Sequence, residues 1–332
     1  PAAMQDASQA MNEKQNRRVS QKTLFSSSQQ MPGGARRKIR SVSVVVATFN
    51  AERWLECCFG SLRNSEFPVS VVVVDCASDD NTLQRLRDGY PKVRVVSSNR
   101  NLGFGRANNL GFEAVGDADA VYLLNQDAWL FPDTIGRLVR TLDGHPDFGI
   151  VSPLHCKRDG VSMEAGFRSF LENNRLGEED ELVEVSFVNA AHWLVRRECL
   201  TDLGGFAPVF FHYGEDVNFS QRARMAGWRI GIDTGTKAVH DREGRPGSAE
   251  RDLLELYASF LIYACKPDIP GWQALPGAWR RLVYNLFAME VRPPRAFSRC
   301  FRHAVGDLPS IMRTRRELCV DPKGKGGTSV LA

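Results

Sequence analysis

Apolar positions along this chain fall into short unbroken runs that alternate with stretches of helical period. Val42-Ser43-Val44-Val45-Val46-Ala47 is a β-branched run closing on Thr48-Phe49-Asn50, the pattern of a strand buried on both faces and followed by a loop. Trp54, Leu55, Phe59 and Leu62 then recur at helical spacing over 51–64, and Val69 to Val74 repeats the buried-strand signature up to Asp75. The alternation continues with a helix over 81–89, a strand at 93–96, a helix at 105–115 and a strand at 120–124 that ends in Asn125-Gln126-Asp127. Strands and helices in strict succession at short spacing predict an α/β fold, a doubly wound, mostly parallel sheet with helices on both faces. Ligands of such sheets sit at the carboxyl ends of the strands. Three polar clusters stand there: Thr48-Phe49-Asn50, Asp75 to Asp80, and Asn125-Gln126-Asp127.

Further along, the pattern predicts a helix at 135–142, a strand at 149–152, a loop region at 155–185 and a strand at 187–195. A helix at 217–226 stops at Gly227, a residue suited to a helix end. Residues 251–265 form an apolar helix of about four turns, too short to cross a bilayer. The domain reading is a disordered basic arm at 1–40, a main domain at 41–250 with a nucleotide-binding half (41–130) and an acceptor or catalytic half (131–250), and a helical C-terminal extension at 251–332.

Composition narrows the class. At 332 residues, 43% apolar and 25% charged, the chain has material for a substantial core, which excludes disorder throughout, collagen and coiled coil. Eight cysteines lie scattered with no CxxC pair, so neither a disulfide framework nor a zinc site is expected, and a reducing compartment fits. No run reaches the ~18 apolar residues of a spanning helix, so a cytoplasmic protein is expected. The net charge of +4 averages unlike segments: residues 1–40 carry eight Lys/Arg against two acids, residues 277–332 eleven against four, and the centre is net −9. An acidic centre argues against a nucleic-acid groove, which needs excess Lys/Arg, and suits a site that holds a cation.

Each cluster has a chemical and a plain structural reading. Asp127, at a strand end, is placed either to coordinate a hard divalent ion bridging substrate phosphates or to cap a turn. Asp75 could accept hydrogen bonds from a nucleobase or ribose, or brace its turn, whereas Asp79 and Asp80 read as helix-start residues. The segment 99–109 opens a helix with two glycines and two arginines, a setting for anionic oxygens, yet it is neither a GxGxxG fingerprint nor a Walker loop. Glu215-Asp216 follows the aromatic run Phe210 to Tyr213, whose surroundings could hold a carboxylate as a general base. His240 ends a short apolar run and is either a metal or diphosphate ligand or a satisfied structural histidine.

Taken together, five motifs in order over about residues 41–245 resemble the inverting family 2 glycosyltransferases of GT-A fold, especially a bacterial rhamnosyltransferase-like branch. They are Val44 to Asn50, Val73 to Asp79, Asn101 to Gly111, Leu123 to Asp127, and Gly204-Gly205-Phe206 leading to Phe210 to Asp216. The resemblance implies that Thr48, Phe49, Asn50 and Asp75 contact base and ribose, with Arg106, Asn109 and Asn125 near the nucleotide. Asp127 and His240 would bind Mn²⁺ or Mg²⁺, Asp216 would be the catalytic base and Glu215 its partner. It further implies a nucleotide-sugar donor, L-rhamnose or another deoxyhexose on dTDP or UDP, and a glycan or lipid-linked glycan acceptor in bacterial cell-surface polysaccharide synthesis. The chain departs from the family's usual pattern at Asn218, where a second Asp is common, at Ala190-Ala191, and at Gln126 in the middle of the DxD-like triplet.

Two other classes compete. A catalytically silent GT-A module that binds glycan or a partner enzyme would explain the basic ends but not the retained Asp216. A nucleotidyltransferase would need a glycine- and arginine-rich loop where Thr48-Phe49-Asn50-Ala51-Glu52 stands. The basic tail, with Trp279, Leu282, Phe287 and Phe297 among its arginines, reads either as a peripheral contact with anionic membrane or as a packing or homodimer element.

Overall fold

The computed structural model describes residues 37–242, 249–288 and 294–318. Most of the expected arm therefore lies outside the described residues, but its last four residues are fastened down. Ile39 is buried, its amide donates to Asp143 Oδ1 at 3.0 Å, and the amides of Arg40 and Ser41 donate to Asp119 Oδ2. Residues 39–41 are thus bonded to the main domain, because two carboxylates capture backbone donors that composition cannot weigh.

The first half follows the predicted alternation: β1 (Val42–Thr48), α1 (Leu55–Arg63), β2 (Val69–Cys76), α2 (Thr82–Gly89), β3 (Arg94–Ser98), α3 (Phe104–Ala114), β4 (Ala120–Leu124) and β5 (Ala128–Leu130). The second half contains α4 (Thr134–Gly144), β6 (Phe148–Cys156), α5 (Phe167–Asn174), β7 (Arg175–Glu179), β8 (Leu182–Val185), β9 (His192–Arg196), α6 (Arg197–Leu203), α7 (Glu215–Met225) and β10 (Arg229–His240). Four helices follow: α8 (Ala249–Ala264), α9 (Gly271–Ala288), α10 (Pro294–Gly306) and α11 (Leu308–Leu318).

Nine strands pair in the order β3-β2-β1-β4-β9-β6-β10-β8-β7, with β5 paired to β10. β1, β2, β3 and β4 run parallel, as do β6 and β10. β9 lies antiparallel between these two groups, on β4 on one side and on β6 on the other. Side-chain alternation on β1 explains why its run is almost wholly apolar. Val44 and Val46 enter the core beneath α1, α2 and α4, and Val45 enters the opposite core with Trp193, Phe206 and Phe219. All three valines are fully buried, each worth about 1.5–3 kcal/mol.

The loop expected at 155–185 contains α5 and a β7–β8 hairpin instead. β7 is mostly exposed and charged and is held by pairing to β8, which buries Leu182, Val183 and Val185 and pairs in turn with β10, so no long apolar period marks the segment. Likewise the strand expected at 187–195 begins only at His192.

The C-terminal helices build a third core, in which Phe260, Leu261, Ala278, Leu282, Cys300 and Ile311 enclose Ala207, Val209 and Phe210 from the segment between α6 and α7. Arg315 of α11 ties this unit together by donating to the carbonyls of Ala264, Lys266 and Ile269, where α8 ends. No helix among the described residues is long and apolar enough to cross a membrane.

Candidate active site

The carboxyl ends of β1, β2 and β4 deliver the three polar clusters to one edge of the sheet, as the register requires: Thr48 pairs with Asp75, and Val45 with Leu123. Here the expected contacts divide. A cleft of about 420 Å³ is lined by Thr48, Phe49, Arg53, Trp54, Asn101, Phe104, Asn125, Gln126, Asp127, Phe211 and His212, among others. Asp75, Asn50, Asn109 and Arg106 do not line it. Asp75 is fully buried and spends its carboxylate on Thr48 Oγ1 (3.0 Å), Ser78 Oγ (2.6 Å) and the Ser78 amide (3.0 Å). Asn50, at φ 50°, exchanges bonds with Ser78 Oγ and the Asp79 amide. Asn109 clasps the backbone of Phe206 with both amide atoms, and Arg106 donates from Nε to Pro208 O. These four shape the loops that form the cleft wall.

Gln126, the departure inside the triplet, has a local explanation. Its side chain accepts from the Phe49 amide at 2.8 Å and donates to Phe49 O at 3.1 Å, so it pins the β1 loop against the β4 loop. Trp54, expected inside a helix, instead ends a short turn at Glu52–Trp54 before α1 begins. Its ring carries the Arg53 guanidinium at 3.8 Å, and both side chains line the cleft.

Asp127 meets His240 because β5 reverses onto β10, pairing Ala128 with His240, while the Asp241 amide bonds to Asp127 O. His240 Nε2 lies 3.7 Å from Asp127 Oδ1 and 3.5 Å from Asn125 Nδ2. Asn125 Oδ1 is buried and finds no hydrogen-bond partner. A carboxylate oxygen and an imidazole nitrogen this close, beside an unsatisfied amide oxygen, fit a divalent ion of the Mg²⁺ or Mn²⁺ kind.

A second cavity adjoins the first, sharing Phe104, Asn125 and His212 with it, and is lined further by Ala190, Ala191, Tyr213, Glu215, Asp216, His240 and Arg242. Glu215 and Asp216 open α7, two residues earlier than the expected helix. Gly214 at φ 89° and Tyr213 at φ 69° make the turn into it, and a bulky residue held at positive φ is the kind of strain that collects at functional sites. The turn is gripped from behind: Arg222 donates to Leu203 O and Gly205 O, and Phe104 N donates to Phe211 O. Gly103 sits at φ 74°, where an added Cβ would lie 1.9 Å from Phe211 O. Gly103→Ala is therefore expected to cost about 1–3 kcal/mol of stability and to weaken donor binding, read by melting temperature and nucleotide titration; an unchanged melting temperature would contradict it.

Asn218, where the family pattern has Asp, is buried, donating from Nδ2 to Cys265 O and accepting from Arg222 Nε. A carboxylate could not make the first bond. Burial raises the pKa of Asp216 above the usual carboxylate range. Burial and the Asp216 charge push Glu215 up to about 8. The folded chain thus retains a proton on Glu215 that an ordinary carboxyl, near 4.5, has lost. Stability contributed by that proton is complete at acid pH and falls as pH rises through this window. Glu215→Gln should flatten the fall in melting temperature between about pH 5 and 8, and an unaltered slope would remove Glu215 as its source.

Beneath the junction lies a buried polar chain that sequence reasoning missed. Glu164 Oε2 is 3.1 Å from His240 Nδ1 and 3.6 Å from His155 Nδ1, and Oε1 accepts from Arg242 Nη1 at 3.0 Å. Burial alone would raise the Glu164 pKa, yet the neighbouring His155 and His240 imidazoles hold it well below the usual range. Deeper still, Tyr122 OH bonds His192 Nδ1 and His192 Nε2 bonds Val239 O. No motif surrounds Glu164, so no signal in the sequence marks it.

A mixed sheet of this order with helices on both faces, carrying a DxD-like strand end opposite an Asp at a helix start, is the GT-A glycosyltransferase fold. Solved structures agree: the fragment 1–349 of TarS from S. aureus superposes with TM-score 0.57 at 18% identity, covering 83% of this chain and 81% of that one. The mannosyltransferase PcManGT from Pyrobaculum calidifontis, in complex with GDP-Man and Mn²⁺, gives 0.56 at 21% identity, covering 94% and 92%. Residues 43–204 match the family model "Glycosyl transferase family 2", so this segment of the chain carries a family 2 glycosyltransferase domain. Among curated relatives, the N-acetylglucosaminyl-diphospho-decaprenol L-rhamnosyltransferase of Mycobacterium tuberculosis is 28% identical over 269 residues, 71% of this chain and 87% of the relative. The low-salt glycan biosynthesis hexosyltransferase Agl10 of Haloferax volcanii is 24% identical over 213 residues, 60% and 67% respectively.

Proposed function

We propose that this enzyme is an inverting, metal-dependent glycosyltransferase that moves L-rhamnose or another deoxyhexose from a dTDP- or UDP-sugar onto a glycan or lipid-linked glycan acceptor in bacterial cell-surface polysaccharide synthesis. The observation that carries the reading is the adjacency of the two cavities, with Asp127 in the wall of one and Asp216 in the wall of the other. The nucleotide lies in the first cleft, with its base and ribose against Phe49, Trp54 and the Thr48 loop. Asp127 and His240 hold a divalent ion, which when bound offsets the charge developing on the departing diphosphate.

Asp216, opening a helix and facing the second cavity, accepts the proton of the acceptor hydroxyl as that oxygen attacks the anomeric carbon. Its raised proton affinity suits this task. Glu215, protonated near neutrality, keeps the pair from carrying two negative charges where an anionic donor must enter. A single displacement inverts the anomeric configuration, and no covalent glycosyl-enzyme forms. The choice of deoxyhexose and of a lipid-linked acceptor is supported by the mycobacterial relative's activity. Incubating the protein with dTDP-rhamnose and a panel of UDP-sugars, with and without Mn²⁺, and reading the product anomer by proton NMR tests the proposal. Turnover and binding of no nucleotide sugar would overturn it.

We further infer a cytoplasmic enzyme that contacts anionic membrane peripherally. The outward faces of α10 and α11 expose Phe301, Val305 and Met312 beside Arg302, Arg313 and Arg316, and such a mixture favours an anionic interface. Flotation with phosphatidylglycerol vesicles should be lost in high salt, and recovery only in the soluble fraction would argue against it.

A further inference from the structure

Glu164, from a segment with no periodic pattern, meets at once two side chains that line the second cavity. One oxygen faces His240 Nδ1 at 3.1 Å and the other accepts from Arg242 Nη1 at 3.0 Å. The residue is 8% exposed, and its backbone is fixed on both sides: its amide donates to His155 O at 2.8 Å, and its carbonyl accepts from Phe167 N at 3.0 Å.

An ionised carboxylate only accepts hydrogen bonds. A neutral His240 facing it must therefore carry its proton on Nδ1, which leaves the Nε2 lone pair turned toward Asp127 Oδ1, 3.7 Å away. Asn125 Nδ2, a donor 3.5 Å from Nε2, agrees with an unprotonated nitrogen there. A histidine whose remote nitrogen is held by a carboxylate is the arrangement in which outer partners raise ligand basicity and fix ring orientation.

We propose that Glu164 is a positioning residue that locks His240 in its Nδ1–H tautomer, aims Nε2 at the cation beside Asp127, and steadies Arg242 at the mouth of the catalytic cavity. This rests on the metal-binding reading of Asp127 and His240 given above. Glu164→Gln makes a sharp test because the two partners make opposite demands on an amide. Arg242 requires the amide oxygen, so the NH₂ group is left facing His240 and donates to Nδ1. The proton then moves to Nε2, where the cation should sit.

The experiment uses the full chain labelled with ¹⁵N-histidine near neutral pH, with the His240 tautomer read by long-range proton–nitrogen correlation and Mn²⁺ affinity read by electron paramagnetic resonance of the free ion. Expected are the Nδ1–H form in the wild type, the Nε2–H form in Glu164→Gln, an affinity about 10–100-fold weaker in that variant, and partial recovery of both in Glu164→Asp. An Nε2–H tautomer in the wild type overturns the proposal, as does weakened Mn²⁺ binding with the tautomer unchanged, or undiminished binding. Should Glu164→Gln not fold, the wild-type spectrum and Arg242→Ala decide, since the latter is expected to keep both the tautomer and the affinity. A wild-type protein that binds no Mn²⁺ would sink the metal reading of the active site, while the tautomer measurement would still judge Glu164.

Discussion

Asp216→Asn is expected to lower sugar transfer by about 10²–10⁴-fold, the range a positioned general base supplies, while leaving nucleotide-sugar affinity within a few-fold of wild type. The separation follows from geometry. Asp216 lines the second cavity and not the cleft assigned to the nucleotide, so its loss removes a proton acceptor and leaves the donor's contacts intact. An amide in its place keeps the bond from the Val217 amide, 2.8 Å from Oδ1, and the fold should survive. Initial rates with calorimetric donor titration check both parts. Transfer at the wild-type rate would show that another group takes the proton.

Asp127→Ala is expected to remove metal-stimulated turnover by about 10³-fold or more, since the cation supplies several kcal/mol of charge stabilisation. Donor affinity measured with chelator should change little, while affinity measured with Mn²⁺ should fall to that same value. The second half of the expectation is the more telling. If the variant's donor affinity still rose on adding Mn²⁺, the ion would be held elsewhere. The Asp241 amide bond goes to the backbone carbonyl of residue 127 and survives truncation of the side chain, so the β5 reversal that brings His240 near is retained.

The half of the chain up to β5 is readable because β1 and most of β2 are buried on both faces and written as almost continuous β-branched runs, and β4 is a fully buried apolar run. Helices there are short and amphipathic, and each of β1, β2 and β4 gives way at its carboxyl end to a polar cluster that breaks the apolar run. What lay hidden shares a different physical origin. β7 is a strand by partnership with β8, which pairs in turn with β10, and its exposed Arg and Glu announce no period; β8 is too short, at four residues, for its apolar positions to set one. β9 lies antiparallel between two parallel groups, a matter of topology that no local pattern in its sequence records. Within the site, residue type suggested which groups could carry chemistry, but not which are used up by neighbours. Asp75 and Asn109 look like ligands in the sequence, whereas in the fold their polar atoms close loops. Glu164 looks like a surface acid and lies among buried histidines.

The bond from Asn218 to Cys265 O and the three from Arg315 to the carbonyls where α8 ends make one relay from the last helix to the turn that bears Asp216. Exchange of C-terminal segments between related enzymes is therefore constrained at both termini of this relay. A transplanted helix that lacks an arginine at the place of Arg315, or a recipient that keeps an aspartate at 218, would leave carbonyls facing no donor. Recombination is expected to inherit these two positions together, so that the C-terminal helices travel with the helix that bears Asp216.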